Sequence, residues 1–139
     1  MVEIKDRFAA APVAVLGTLG PSGPRLIPVT FVLSGEAIRT AVDGKPKRST
    51  RLARLDDIAR DPRVSLLVQH WDGDWSRLWW IRADGEARVS DDPAEVAGTT
   101  TALQAKYPQY AEVPVTGPVI VVEIRTWRSW SGGDGFANG

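Results

Sequence analysis

Between Gly44 and Leu55 the chain carries Lys45, Lys47, Arg48, Arg51 and Arg54 with no acidic residue among them. This is a local excess of five positive charges in a chain of zero formal net charge. A strand-like run, residues 37–42, precedes it, and Leu52, Leu55 and Ile58 follow at helical spacing. Lys47 and Arg48 therefore fall at a predicted helix N-terminus, with Arg51 about one turn in. The first N–H groups of a helix lack partners, and the helix dipole places partial positive charge there. An anion docked at that point gains both the N–H groups and the side chains. Pro46 stiffens the loop that projects Lys45 and Lys47. A solvated helix face has the same composition, and Arg54 has Asp56 and Asp57 nearby to pair with. Charge and position alone leave both readings open.

Aromatic residues form the second cluster. Of six tryptophans, Trp71, Trp75, Trp79 and Trp80 fall within ten positions. On a strand, Trp79 and Trp80 face opposite sides, so one can serve the core while the other faces a groove or a partner subunit. Tryptophan combines a large apolar area with one polar N–H, which suits cores, interfaces and flat aromatic pockets alike. Trp75, in a loop, is the first candidate for a cofactor pocket, and Trp127 and Trp130 are expected to pack. His70, at a strand end, fits a structural role and could also polarise a substrate.

Other chemistries find little to work with. The absence of cysteine excludes disulfides and thiolate-bound metals, and a single histidine excludes paired-histidine metal motifs. No G-x-S-x-G elbow and no G-x-G-x-x-G fingerprint occur. All-carboxylate metal sites find no supporting spacing. No catalytic residue and no metal ligand is assigned. Zero net charge argues against a nucleic-acid binder. No apolar run approaches the ~20 residues of a membrane span, and residues 1–10 do not read as a signal peptide. The expectation is a cytoplasmic protein without nucleic-acid or membrane partners.

The elements that would position these residues can be read in order. Residues 2–10 predict an amphipathic helix with Ile4 and Phe8 on one face. Residues 13–19 predict a strand covered on both sides, since both parities are apolar. The turn-rich Gly20-Pro21-Ser22-Gly23-Pro24 leads into a strand over 26–33, where Pro28 requires an edge position or a bulge. A third strand covers 37–42, a helix covers 50–61, and a strand covers 64–71 with Val64, Leu66 and Val68 on one face. Residues 78–82 and 86–90 predict a hairpin turned at Ala83-Asp84-Gly85. Asp91-Asp92-Pro93 opens a helix to about Lys106, and 119–127 is the last strand. About six strands in short hairpins, with two or three inserted helices, predict an α+β fold built on a small antiparallel barrel. One domain, 1–130, is expected, followed by a flexible tail, 131–139.

Several of these stretches stand in a familiar order: Pro24-Arg25-Leu26-Ile27-Pro28-Val29, then Thr40-Ala41-Val42-Asp43-Gly44-Lys45-Pro46-Lys47-Arg48, then Asp61-Pro62-Arg63-Val64-Ser65-Leu66-Leu67. Asp74-Trp75, Leu78-Trp79-Trp80 and Lys106-Tyr107-Pro108-Gln109-Tyr110 follow. Over about residues 8–130 the chain resembles the split β-barrel flavin-binding family related to pyridoxamine 5'-phosphate oxidase. More narrowly, it is similar to the actinobacterial branch of F420-dependent oxidoreductases. The resemblance implies a homodimer with two cofactor sites at the subunit interface. It implies a cofactor phosphate on Lys45, Pro46, Lys47, Arg48 and Arg51, with Thr40 near the tail or ring. Pro28, Val29 and Thr30 would offer backbone groups to the ring, and Trp75 and Trp79 would come from the other subunit. Arg25 departs from the histidine or neutral polar residue common at that position in relatives. The family uses FMN or the deazaflavin F420, and the density of cations suits the more anionic F420. The implied activity is an F420-dependent reductase that passes a hydride between cofactor and a small organic acceptor, the protein supplying binding, orientation and electrostatics. An FMN-dependent oxidase or reductase, and a non-catalytic cofactor-binding or sequestering protein, are the alternatives.

Overall fold

The computed structural model describes residues 2–42, 48–113, 115 and 117–133, with side chains for all of these except residues 2 and 48–52. The elements are α1 (Val2–Ala10), β1 (Ala14–Gly20), β2 (Gly23–Val29), β3 (Val32–Ser34), β4 (Ala37–Ala41), α2 (Arg48–Arg60), β5 (Arg63–His70), β6 (Trp79–Ser90), α3 (Pro93–Lys106) and β7 (Val119–Ser131). Short 3-10 turns lie at Trp75–Arg77 and Pro108–Ala111. All the strands join one antiparallel sheet of order β2-β1-β5-β6-β7-β4-β3.

That order dictates the shape. β2 and β3 lie at opposite edges, yet only Thr30 and Phe31 separate them in the chain. Six inter-strand spacings would put the edges of a flat sheet roughly 29 Å apart. Three residue steps reach about 11 Å at most. The sheet must therefore curl until its edges meet, and the result is the predicted antiparallel barrel.

The predicted strand over 26–33 is accordingly two strands, with a break where the chain crosses between edges. Pro28 lies on an edge strand, as expected. Pro24 and Pro28 share one parity in the β1–β2 register, opposite Leu19 and Val15. Their missing N–H groups fall on the open side, where no ladder bond is lost.

Two further expectations are corrected. Strand β1 alternates: Ala14, Leu16 and Thr18 are buried, whereas Val15, Gly17 and Leu19 are only partly covered. Residues 79–90 form one strand and not a hairpin. β6 is bonded to β7 along its length and to β5 from Trp79 to Glu86, so Asp84 and Gly85 lie between two ladder partners. A hairpin turn would need positive φ at Asp84 and Gly85, and neither has it. The Asp-Gly pair instead marks a register shift, with Asp84 opposite Thr126 and Gly85 opposite Ile124. Glycine is required there because a Cβ on Gly85 would lie 2.2 Å from the Glu123 carbonyl oxygen.

The core fills the barrel with Leu16, Phe31, Ile38, Leu66, Ile81 and Ile120, and α1 plugs it with Phe8. The Phe8 ring stands 5.1 Å from Phe31 and edge-on to Trp127 at 5.2 Å. Helix α3 starts where expected: Asp92 caps it by accepting from Glu95 N–H, and Pro93 occupies its first turn. Strand β7 runs four residues past its predicted end at Trp127, to Ser131. Among the described residues no helix is long and apolar enough to cross a membrane.

Gly85→Ala should destabilise the protein by about 1–3 kcal/mol, because the new methyl meets backbone and not a side chain that can move. Urea unfolding measures this, and an unchanged midpoint would contradict the close approach.

Candidate functional site

Crossing between edges takes Thr30 and Phe31 out of the ladder, so their polar groups need other partners. The Thr40 hydroxyl, buried on β4, donates to the Thr30 carbonyl at 2.7 Å. The Phe31 N–H donates to the Tyr107 hydroxyl at 3.2 Å, and Lys106 Nζ donates to the Phe31 carbonyl at 3.0 Å. Tyr107 has one proton, with the Pro12 carbonyl at 3.0 Å and the Phe31 carbonyl at 3.2 Å as acceptors. The Thr30 and Tyr110 hydroxyls share a 2.7 Å hydrogen bond. The segment from Lys106 to Tyr110 thus clamps the barrel seam.

Lys106 is half-buried, with its ammonium 3.7 Å from the centroid of the Phe31 ring. Burial pushes its pKa down from 10.5 to about 8. Burial also raises that of the Tyr107 phenol, which keeps its proton available for donation.

Helix α2 starts at Arg48, and its first turn contains no acidic residue. It is fastened to the sheet by Ile58, which is buried, and by the fully buried Asp57. The Asp57 carboxylate accepts from the Thr18 hydroxyl at 2.8 Å and pairs with Arg25 Nε at 3.1 Å and an Arg60 terminal nitrogen at 3.0 Å. Arg25 is thereby committed to the β1–β2 hairpin and α2.

The residues singled out from sequence fall into three groups. Pro28, Val29, Thr30 and Thr40 come together at the seam, joined by the Thr40–Thr30 bond. Lys45, Pro46 and Lys47 lie outside the described residues, and Arg48 and Arg51 are placed by backbone only, in the first turn of α2. Trp75 and Trp79 lie elsewhere. Ala41, where β4 ends, pairs with Val119, which pairs with Ser90. Trp79 is at the other end of β6, eleven residue steps from Ser90, or roughly 36 Å of strand. Trp79 stacks on His70 at 5.8 Å and has the Arg7 guanidinium 5.4 Å from its ring. Trp75 is 70% exposed and Trp71 73%.

Sequence reasoning did not find the Thr18–Asp57–Arg25 cluster or the roles of Lys106, Tyr107 and Tyr110. The first depends on strand register. The second had a signal, since Lys106-Tyr107-Pro108-Gln109-Tyr110 was one of the stretches carrying the resemblance. Among the described residues no group of His, Asp or Glu side chains could hold a metal ion.

A family model described as pyridoxamine 5'-phosphate oxidase matches residues 2–131. A search of the curated proteins finds no match. Among solved structures, a conserved protein of Mycobacterium tuberculosis, Rv2991, is similar with a TM-score of 0.77 and 23% identity, over 94% of this chain and 84% of that one. A heme-binding protein of Mycobacterium smegmatis has a TM-score of 0.72 and 22% identity, over 96% of this chain and 54% of that one. A FAD-binding protein of Mesorhizobium loti has a TM-score of 0.67 and 16% identity, over 92% and 90%. At these identities the likeness is one of fold.

The lowered pKa of Lys106 makes stability depend on pH. Between about 8 and 10.5 the unfolded chain binds more protons at this position than the folded one, so stability rises with pH across that window. Wild type should gain stability relative to Lys106→Met as pH goes from 8 to 10 in chemical denaturation. A difference that stays flat would contradict the burial of the ammonium.

Proposed function

The chain belongs to the pyridoxamine 5'-phosphate oxidase family, and from that premise we propose that it is an F420-dependent reductase passing a hydride between the deazaflavin and a small organic acceptor. The observation that carries this reading is the start of α2. Helices favour acidic residues in the first turn, because the dipole is positive there. Here the first turn is free of acids and holds Arg48 and Arg51, directly behind Lys45, Pro46 and Lys47. That arrangement is unfavourable alone and becomes favourable when an anion is bound.

In this reading Lys45, Lys47, Arg48 and Arg51 hold the cofactor's phosphate and carboxylate tail, with Pro46 fixing the loop. The backbone of Pro28, Val29 and Thr30 borders the ring. Thr40 holds the Thr30 carbonyl in place from within, and Tyr110 fixes the Thr30 hydroxyl. When bound, the deazaflavin supplies the hydride chemistry, while the protein binds, orients and keeps water away. The chain acts as a homodimer in the cytoplasm. Trp75 of the partner subunit and Trp79 of the partner subunit complete each site. The exposure of Trp75, and the distance along β6 between Trp79 and the end of β4, support a second copy as their route to it.

A flavin is the second reading, favoured by the fold shared with the FAD-binding protein of Mesorhizobium loti. Parallel titrations with FMN and F420 separate the two, and turnover of F420 with a panel of acceptors separates a reductase from a cofactor carrier. Losing one charge-assisted contact costs about 1.5–3 kcal/mol, so Lys47→Ala should weaken F420 binding by roughly tenfold or more in a fluorescence titration. Equal affinity in wild type and variant would remove the loop from the site.

A further inference from the structure

Asp57 is the one buried charged residue among the described residues. Its three partners come from three elements: Thr18 on β1, Arg25 on β2 and Arg60 on α2. Thr18 and Arg25 are cross-strand neighbours, so one carboxylate grips both strands of the hairpin and ties them to the helix. The hairpin is shaped for this contact. Gly20 leaves room for the Arg25 guanidinium to lie across the turn, since a Cβ there would lie 2.4 Å from Arg25 Nε. Burying a carboxylate is costly unless it is paired and hydrogen-bonded. Seating Asp57 among its three donors therefore favours this position of the helix.

The consequence reaches the other end of α2. Asp57 is nine residues beyond Arg48, about 13.5 Å along a helix. A helix is stiff on that scale. A tilt of about 10° around Asp57 moves the first turn by roughly 2 Å, more than a charge-assisted hydrogen bond tolerates.

We propose that Asp57 is a positioning residue for the anion site, holding α2 in a fixed position against the β1–β2 hairpin, whose second strand ends at Val29, and so setting the preference for phosphate-bearing over phosphate-free cofactor. The proposal rests on the reading of that turn as the phosphate anchor. It assigns Arg25 and Thr18 a part in cofactor recognition through Asp57, without contact to the cofactor.

The test is a ratio of affinities. F420 and its phosphate-free deazaflavin chromophore, and in parallel FMN and riboflavin, are titrated against wild type, Asp57→Asn and Thr18→Val. Asp57→Asn keeps the shape and removes the charge. Thr18→Val removes only the 2.8 Å hydrogen bond and covers the case in which Asp57→Asn fails to fold. Wild type is expected to prefer the phosphate-bearing member of a pair. Asp57→Asn should cut that preference by roughly tenfold, the scale of one lost contact to a charged group, the phosphate-bearing affinity falling much more than the phosphate-free one. Thr18→Val should shift it the same way by less. A merely structural role would lower both affinities together, and that result overturns the proposal. So does a preference retained in the variants that fold. A wild type without any preference overturns the anion-site reading itself, which distinguishes the two failures.

Discussion

The chain leaves the sheet at one edge after Val29 and re-enters it at the other edge at Val32. This two-residue crossing forces the sheet to close. It also strips Thr30 and Phe31 of ladder partners at the place where the barrel is joined. An orphaned backbone group in that position would cost about 1–3 kcal/mol. Lys106 at the end of α3, Tyr107 just after it and Thr40 on β4 remove this cost: the first two bond both polar groups of Phe31, and Thr40 takes the Thr30 carbonyl. A half-buried lysine is tolerated there because its ammonium meets a carbonyl and an aromatic face together. The seam is thus both the point of closure and a rigid edge of backbone next to Pro28 and Val29.

Helix α2 faces the opposite electrostatic problem. Its first turn brings Arg48 and Arg51 to the positive end of the helix dipole, while Leu55 and Ile58 pack against the core. The buried Asp57 adds a polar attachment, near the end where Arg60 is favourably placed against the dipole. The helix is held through its back half, by Ile58 and Asp57. In the proposed reading, an anion bound at the first turn relieves the repulsion between its cations.

How legible this was from the sequence varies with the range of the interaction. The Asp92-Pro93 start of α3, the buried face Val64, Leu66 and Val68, and the edge position of Pro28 follow from local rules, and the structure bears them out. Asp84-Gly85 has the local chemistry of a turn, but two neighbouring strands override it. The break at Thr30-Phe31 is invisible in a continuous run of strand formers, because it reflects where two distant edges meet. Asp57 reads as a surface acid until register puts Thr18 beside Arg25. The cationic run is the clearest site signal in the sequence, and of it the structure describes only the helical part, Arg48 and Arg51 by backbone and Arg54 with its side chain.

The account centres on an anionic cofactor tail seated at the start of α2. A crystal structure of the protein with F420 bound tests this most directly. The predicted result is phosphate density within hydrogen-bonding reach of the first-turn N–H groups of α2, with the deazaflavin ring against Pro28, Val29 and Thr30. Phosphate density remote from α2, with the first turn of the helix left free, would contradict it.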